Sequence, residues 1–442
     1  MKKLLAVWAV KILTIAGKIM GKKSTSGPGE IALKICPDLI EKLAGNVEKE
    51  IIVTCGTNGK TTTNNLLYTA LTKGGYEVVC NNLGANMIGG IATAFASKCN
   101  IFGKFTADYA CLEIDEASAT KVFDKIKPDV MVITNMFRDQ LDRYGETQQT
   151  MELLNKAIEK AEGVTLVLNG DDPLTVSFGE NRNAKYFGIS EQVLKQEENS
   201  GEGKFCIKCG SPMKYNYVHY SQLGDYFCDE CGNKRPEIDY EAKEIDLTES
   251  LKFQINGKHI DLNYRGFYNI YNILAVFSVM EIIGVDTKHF NGLMSDYKPQ
   301  IGRMEEFDLG KPVILNLAKN PAGFNQAIET VMQDTRKKDV IIAINDKPGD
   351  GIDVSWLWDV DFEKIGEAQL NKLYTTGIRV YDLALRFKYS GMEPDLITGD
   401  MRKAIEDAIK TDAEVCYVLV NYTALFGTQK ILKEMRKEKE NE

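Results

Sequence analysis

Short apolar runs separated by longer stretches of helical period organise the chain. The β-branched run Ile51-Ile52-Val53 is followed by Glu77–Cys80, Tyr109–Ile114, Val130–Thr134 and Val164–Leu168. Strand signals that alternate with helical patterns predict a parallel sheet covered by helices on both faces. The alternation returns at Val313–Leu317, Val340–Ile344, Lys372–Thr375 and Val415–Val420, which predicts a second, smaller α/β domain. A charged, hairpin-like stretch, Ile238–Ile260, lies between the two. At the start, residues 1–23 mix apolar residues with Lys11 and Lys18, which share one side of a helix, and Ser24–Gly29 ends it. The expected division is a lead-in over 1–45, a main α/β domain over 46–304 with an insertion near 201–236, and a C-terminal α/β domain over 305–442.

A chain of 442 residues is too long for one core. Its 44% hydrophobic and 26% charged residues are those of a soluble globular protein. A net charge of −9 argues against broad nucleic-acid binding. Two lysines interrupt the first apolar stretch, so it is a poor membrane span, and it lacks a convincing signal-peptidase site. Two readings stand: a helix lying on an anionic membrane surface, or an amphipathic helix packed on the next domain. Ten cysteines in a chain of this size point to a reducing compartment rather than to a disulfide framework. Six of them, Cys36, Cys55, Cys80, Cys99, Cys111 and Cys416, are scattered, mostly in apolar runs, and read as buried thiols. With only His219, His259 and His289 available, histidine-based catalysis within this chain is disfavoured.

The chemistry centres on Gly56-Thr57-Asn58-Gly59-Lys60-Thr61-Thr62, which follows the first strand and precedes a helical pattern starting near Asn64. A glycine turn between strand and helix aims backbone N–H groups and a helix N-terminus at one point, where phosphates bind. Lys60 adds charge for the β/γ-phosphates, and Thr61 offers a hydroxyl to Mg²⁺. The match is to a shortened phosphate-loop pattern, because Thr54 stands where the general motif has glycine. Polar residues collect past the other strand ends: Glu113, Asp115 and Glu116, then Asn135, Arg138 and Asp139, then Asn169, Asp171 and Asp172. Ligands of open α/β sheets bind there. Glu113 is the first choice for a Mg²⁺ ligand, with Glu116 second.

Cys206-x-x-Cys209 and Cys228-x-x-Cys231, each followed by glycine, have the spacing of a four-thiolate zinc ribbon. All-thiolate ligation favours a structural metal; a redox pair is the rival reading, and His219 between the pairs is not expected to ligate. Asn269 and Asn272 fall on one face of a helix start, as an adenine-edge pair or as helix caps. The loop Asp346–Asp361 carries five aspartates with Trp356 and Trp358, and reads as lining a site or an interface.

Taken together the motifs resemble the Mur ligases. The matching pieces are Gly56–Thr61, Leu112–Glu116, Thr134-Asn135 with Asp139–Asp142, Leu168–Pro173, Tyr268–Asn272, Gly302-Arg303 and Asn316–Pro321. The resemblance implies ATP, Mg²⁺ and a carboxylate substrate, with Asn135, Arg303 and Asn316 added to the nucleotide site. Four departures stand out: about fifty residues precede the phosphate loop where these ligases carry a UDP-binding domain, Gln140 replaces a metal-binding histidine, Asn316 replaces an aspartate, and the cysteine insert is foreign. That combination resembles the MurT family. It implies amidation of the D-glutamate α-carboxyl in the lipid II stem peptide, in the cytoplasm at the inner membrane face. It also implies a GatD-type glutaminase partner, whose Cys–His pair would be completed by Asp353, or less readily Asp359, from this chain. The alternatives are a stand-alone Mur or folylpolyglutamate-type amino acid ligase and a non-catalytic nucleotide-binding scaffold.

Overall fold

The computed structural model describes residues 1–19, 25–82, 85–138, 147–193, 202–248, 250–264, 266–295, 302–367 and 369–440. The chain divides into two compact units, Met1–Phe137 with Thr147–Tyr297, and Arg138–Glu146 with Lys298–Glu442. Gln140 and Asp139 lie outside the described residues, as do Lys298 and Pro299.

The first unit is built on strands β1 Val47–Cys55, β2 Val78–Cys80, β3 Ala107–Glu113, β4 Val130–Ile133, β5 Thr165–Asn169, β6 Ala184–Ile189, β7 Lys214–Tyr220, β8 Leu223–Phe227, β9 Tyr240–Asp246, β10 Leu251–Ile255 and β11 Lys258–Leu262. Nine of them form one sheet in the order β11-β10-β9-β6-β5-β4-β1-β3-β2, and β7 pairs with β8 apart from it. The pairings from β2 across to β9 are parallel, and β9, β10 and β11 extend the edge as an antiparallel meander. The charged stretch expected as a hairpin thus supplies three strands. β6, whose mixed sequence Ala184–Ile189 gives little periodic signal, joins them to the core sheet. Strand order reverses around β1, which lies between β3 and β4. Chain segments leaving the carboxyl ends of these strands diverge and leave a crevice.

The helix after β1 runs Lys60–Lys73 and begins four residues before the apolar pattern does. Gly59, at φ +86°, turns the chain immediately, so polar Lys60-Thr61-Thr62 form the first helical turn. Residues 2–19 form a helix whose Ala6, Val7 and Val10 are buried in the unit's core beside Phe95 and Ile91. Helices Gly27–Ile35 and Ile88–Lys98 cross at Gly29 and Gly89, where a Cβ on Gly29 would lie 1.8 Å from the Gly89 carbonyl oxygen.

The second unit contains β12 Glu305–Asp308, β13 Pro312–Leu317, β14 Lys338–Ala343, β15 Leu370–Thr376, β16 Leu396–Ile397 and β17 Val415–Val420, in the order β12-β13-β17-β14-β15-β16. Only β12 is antiparallel. One core cluster includes Phe324, Phe362 and Phe387, the other Ile405, Leu432 and Met435. A parallel sheet buried on both faces needs two such layers. Five of the scattered cysteines are buried and Cys80 is partly so, all as free thiols.

The backbone contact at Gly29 leaves no room for a methyl group. Gly29→Ala should therefore destabilise the protein by about 1–3 kcal/mol or more, seen as a lowered denaturation midpoint in circular dichroism.

Candidate functional site

The crevice beside β1 is lined by one continuous hydrogen-bonded frame. The loop Gly56–Gly59 is held from the side by the segment that follows β4. Thr57 N–H donates to the Asn135 carbonyl (2.8 Å), and Asn58 N–H donates to Asn135 Oδ1 (2.9 Å). The Asn135 amide and the Thr134 hydroxyl return bonds to the Asn58 carbonyl at 3.1 and 2.7 Å. Thr57 Oγ1 donates to the Phe137 carbonyl and accepts from its N–H. Gly56, at φ +112°, sits so close that a Cβ would meet Thr134 Oγ1 at 2.4 Å. The glycines answer to this close approach as well as to the turn.

Lys60 is buried, and its Nζ donates to Glu116 Oε1 at 2.8 Å and to the Gly56 carbonyl at 2.5 Å. The same Glu116 oxygen accepts the Gly56 N–H at 2.8 Å. Glu113 ends β3 in register with Thr54, is buried, and accepts from Asn86 Nδ2 at 3.0 Å. The carboxylate ranked second in sequence is therefore the one that holds the loop lysine. Thr61 and Thr62 are half-buried in the first turn of the helix, where N–H groups have no intrahelical acceptor. This combination of loop lysine, helix N-terminus and threonine hydroxyls fits a nucleotide phosphate with Mg²⁺.

Asn272 faces the loop from the helix Tyr268–Ile282. Its Oδ1 accepts from the Thr63 hydroxyl at 3.2 Å, its amide donates to Asn269 Oδ1 at 3.0 Å, and a Cβ on Gly59 would meet it at 2.4 Å. The two asparagines do share a face, and neither is the cap, which falls at Phe267. In the second unit, Asn316 is buried at the end of β13 with Oδ1 unpartnered in the protein, an orphan suited to a ligand donor. Arg303 lies in the same unit, next to Gly302 (φ +72°).

Asp171 and Asp172 serve the frame rather than a ligand. Asp171 accepts from Arg235 and the Tyr271 hydroxyl, each at 2.7 Å. Asp172 accepts from the Met136 N–H at 2.7 Å and the Thr175 hydroxyl at 2.6 Å, while burial pushes its carboxyl upward against these donors. Sequence reasoning missed Gln222, at the tip of the β7–β8 hairpin. It is fully buried and donates to the Met136 carbonyl at 2.6 Å, one residue from the loop's anchor. No periodicity or motif marks it.

That hairpin belongs to the cysteine insert. Gly210 and Gly232, both at positive φ, close the two knuckles through N–H bonds to the Cys206 and Cys228 carbonyls. The four sulfurs of Cys206, Cys209, Cys228 and Cys231 lie within 4.8 Å of one another, and the pairs Cys206–Cys231 and Cys209–Cys228 are 3.5 Å apart. Zn–S bonds of about 2.3 Å in a tetrahedron put sulfurs roughly 3.8 Å apart, so the donor set fits Zn²⁺. The Ser211 N–H and hydroxyl hold the Cys209 thiol down at about 6, towards the thiolate that zinc requires. His219 is outside the cluster, buried among Tyr217, Phe267 and Tyr271.

In the second unit the acidic loop is pinned by buried Asp350, which accepts from the N–H and hydroxyl of Thr423. Asp353 accepts from the Ser355 N–H at 2.8 Å and hydroxyl at 3.0 Å, and these donors hold its carboxyl below the usual range. The 3₁₀ turn Ser355–Asp359 follows, with Val354 at its N-cap. Asp359 accepts from Arg138 at 3.3 Å. Of the two tryptophans, Trp356 packs on Phe324, whereas Trp358 is exposed.

The insert's zinc should be measurable and should act at a distance from itself. Purified chain should carry one zinc by elemental analysis, and Cys209→Ser should lower both that content and the thermal midpoint. Gln222→Ala should weaken MgATP binding in calorimetry, by about threefold to tenfold if one buried hydrogen bond is lost.

The comparisons with known proteins agree on both units. The Mur ligase middle domain model matches residues 53–280, and the MurT ligase C-terminal model matches residues 317–425. The chain is 35% identical over 429 residues, 96% of each chain, to the lipid II isoglutaminyl synthase (glutamine-hydrolyzing) subunit MurT of Staphylococcus aureus strain COL. It is 36% identical over 421 residues, 93% of each, to the subunit of the same name from Streptococcus pneumoniae. Among solved structures, a pseudomurein peptide ligase type C from Methanothermus fervidus superposes with a TM-score of 0.73 at 24% identity, covering 90% of this chain and 81% of that one. That likeness establishes the Mur-ligase-like α/β fold. Identity of this order over nearly the full length shows more: the chain belongs to the MurT family.

Proposed function

We propose that this chain is the ligase subunit of a glutamine-dependent amidating enzyme. It would convert the D-glutamate α-carboxyl of the lipid II stem peptide to D-isoglutamine, at the expense of ATP. Its family membership carries the reading, because the relatives are named as glutamine-hydrolysing isoglutaminyl synthase subunits. The loop frame supports it: a lysine, the first turn of a helix and threonine hydroxyls meet beside one glycine loop.

In this reading Gly56, Thr57, Asn58, Gly59, Lys60, Thr61 and Thr62 hold the triphosphate, and Asn135 keeps the loop in shape. The Thr61 hydroxyl and Glu113 would hold Mg²⁺, which would supply neutralisation of the phosphate charge. Asn269 and Asn272 flank the base; Arg303 and Asn316, which the family resemblance assigns to the nucleotide, belong to the second unit. The stem carboxylate attacks the γ-phosphorus, which releases ADP and leaves an acyl phosphate. Ammonia then attacks the acyl carbon, the C–O bond to phosphate breaks, and the amide remains. Lys60 would offset the charge that develops on the transferred phosphoryl group.

Ammonia must arrive unprotonated, which favours delivery from a GatD-type glutaminase bound to this chain. Asp353 suits the part of third triad member, since it is half-exposed and held ionised. Asp359 already faces Arg138. Around Asp353 the second unit exposes Ile352 and Trp358, together with Tyr381, Leu385 and Tyr389 on one face of the helix Val380–Tyr389. Trp358 and Tyr389 stack edge to face at 5.4 Å. An apolar patch of this kind fits a protein partner. A lipid-linked substrate would place the complex in the cytoplasm at the inner membrane face.

The test is reconstitution with the glutaminase, ATP and lipid II, followed by mass analysis of the lipid. Conversion of one carboxyl to a carboxamide should require glutamine and ATP. Lys60→Ala should lower the rate by about a hundredfold or more. Normal product from that variant would sink the catalytic role, and incorporation of an amino acid without glutaminase would favour a stand-alone ligase. Asp353→Asn should lose glutamine-dependent turnover by about a thousandfold or more while keeping activity with added ammonium. Equal loss of both would remove Asp353 from the triad.

A further inference from the structure

The helix Lys2–Ile19 has two apolar faces, and the fold uses one. Ala6, Val7, Val10 and Gly17 are buried against the unit. On the opposite side, Leu5, Trp8, Ile12, Ile15 and Ile19 form a row at spacings of three and four. Ile12 is 65% exposed, Ile15 58% and Ile19 81%. At about 100° per residue the row spans an arc of roughly 80°. Such a row on a free helix of a globular protein normally faces a core, and here it faces outwards.

The patch continues beyond the helix. Trp8 Nε1 donates to the Ile101 carbonyl at 2.8 Å, and Ile101 and Phe102 are 65% and 73% exposed. This turn packs on the helix, since a Cβ on Gly103 would meet Leu4 at 3.3 Å. Helix and turn therefore present one surface.

Charge says what that surface meets. The helix carries Lys2, Lys3, Lys11 and Lys18 and no acidic residue, in a chain of net charge −9. Lys11 and Lys18 flank the row on one side and Lys2 on the other, from where long stems reach past apolar neighbours. Among the described residues no helix is long and apolar enough to cross a membrane. An apolar row flanked by lysines, with tryptophan in it, is the pattern of a helix lying in a bilayer interface.

We propose that Leu5, Trp8, Ile12, Ile15 and Ile19, extended by Ile101 and Phe102, form a docking surface for an anionic lipid bilayer. The inner half of the helix stays in the protein core while the outer half enters the headgroup boundary. The amidation reading does not underlie this proposal, and vesicles without any peptidoglycan precursor test it.

The full chain should co-sediment with vesicles of phosphatidylglycerol and phosphatidylcholine, and much less with phosphatidylcholine alone. Its tryptophan emission should shift to the blue, and Trp8→Phe should remove most of that shift. Ile12→Glu with Ile15→Glu should cut partitioning about tenfold or more, with the circular dichroism melt unchanged because both side chains are exposed. Lys2→Gln with Lys18→Gln should cost about fivefold per lysine removed, and added salt should reproduce that loss. Equal binding to neutral vesicles, or unaltered binding by the Ile12/Ile15 double variant, would overturn the proposal. So would a stable dimer in analytical ultracentrifugation that the same variant dissolves, since a second copy would then be the occupant.

Discussion

The bonds between the phosphate loop and the segment after β4 are what the first unit depends on for chemistry. A glycine-rich loop has little shape of its own, and its use as an anion site requires that its amides be aimed in advance. Here Asn135, Thr134 and Phe137 fix the successive loop residues Thr57 and Asn58 through main-chain and side-chain bonds. The reversal of strand order around β1 makes that contact possible, because it puts the ends of β1 and β4 side by side. Loop, strand end and helix start are one preorganised element.

The cysteine insert extends the same logic outwards. Its hairpin tip reaches Met136 through Gln222, and Arg235, just past the second cysteine pair, closes on Asp171. Tyr271 takes the other Asp171 oxygen from the helix that also presents Asn272 to the loop. Small inserts of this kind lack a core large enough to hold themselves, and four thiolates around one metal would supply what is missing. The four cysteines are remote from the phosphate loop in sequence, yet their hairpin meets the loop's anchoring segment through a hydrogen bond.

Much of this was legible in the residues. The apolar runs at Val130–Thr134 and Val415–Val420 became strands at nearly those bounds, because buried parallel strands are continuous in hydrophobicity. The Gly56–Thr62 turn and the paired cysteines announced themselves because their chemistry depends on fixed spacing. Gln222 did not, because a buried glutamine matters only through the carbonyl it meets, 86 residues away in sequence. Glu116 ranked behind Glu113 for a similar reason: proximity to a strand end is visible along the chain, whereas a partner on another loop is not. The acidic stretch at Asp346–Asp361 mixes both kinds, with Asp350 holding the loop in place and Asp353 accepting from Ser355 near the surface.

The buried pair of Lys60 with Glu116 carries a consequence for turnover. An ammonium left alone in a low-dielectric cleft would seize whatever anion passed and release it slowly. Glu116 offers it a resting place; in the proposed reading each incoming triphosphate would have to displace a carboxylate already in possession, and each departing diphosphate would leave behind a lysine with somewhere to return. Such competition would weaken the grip on both nucleotides alike and trade tightness for speed of exchange.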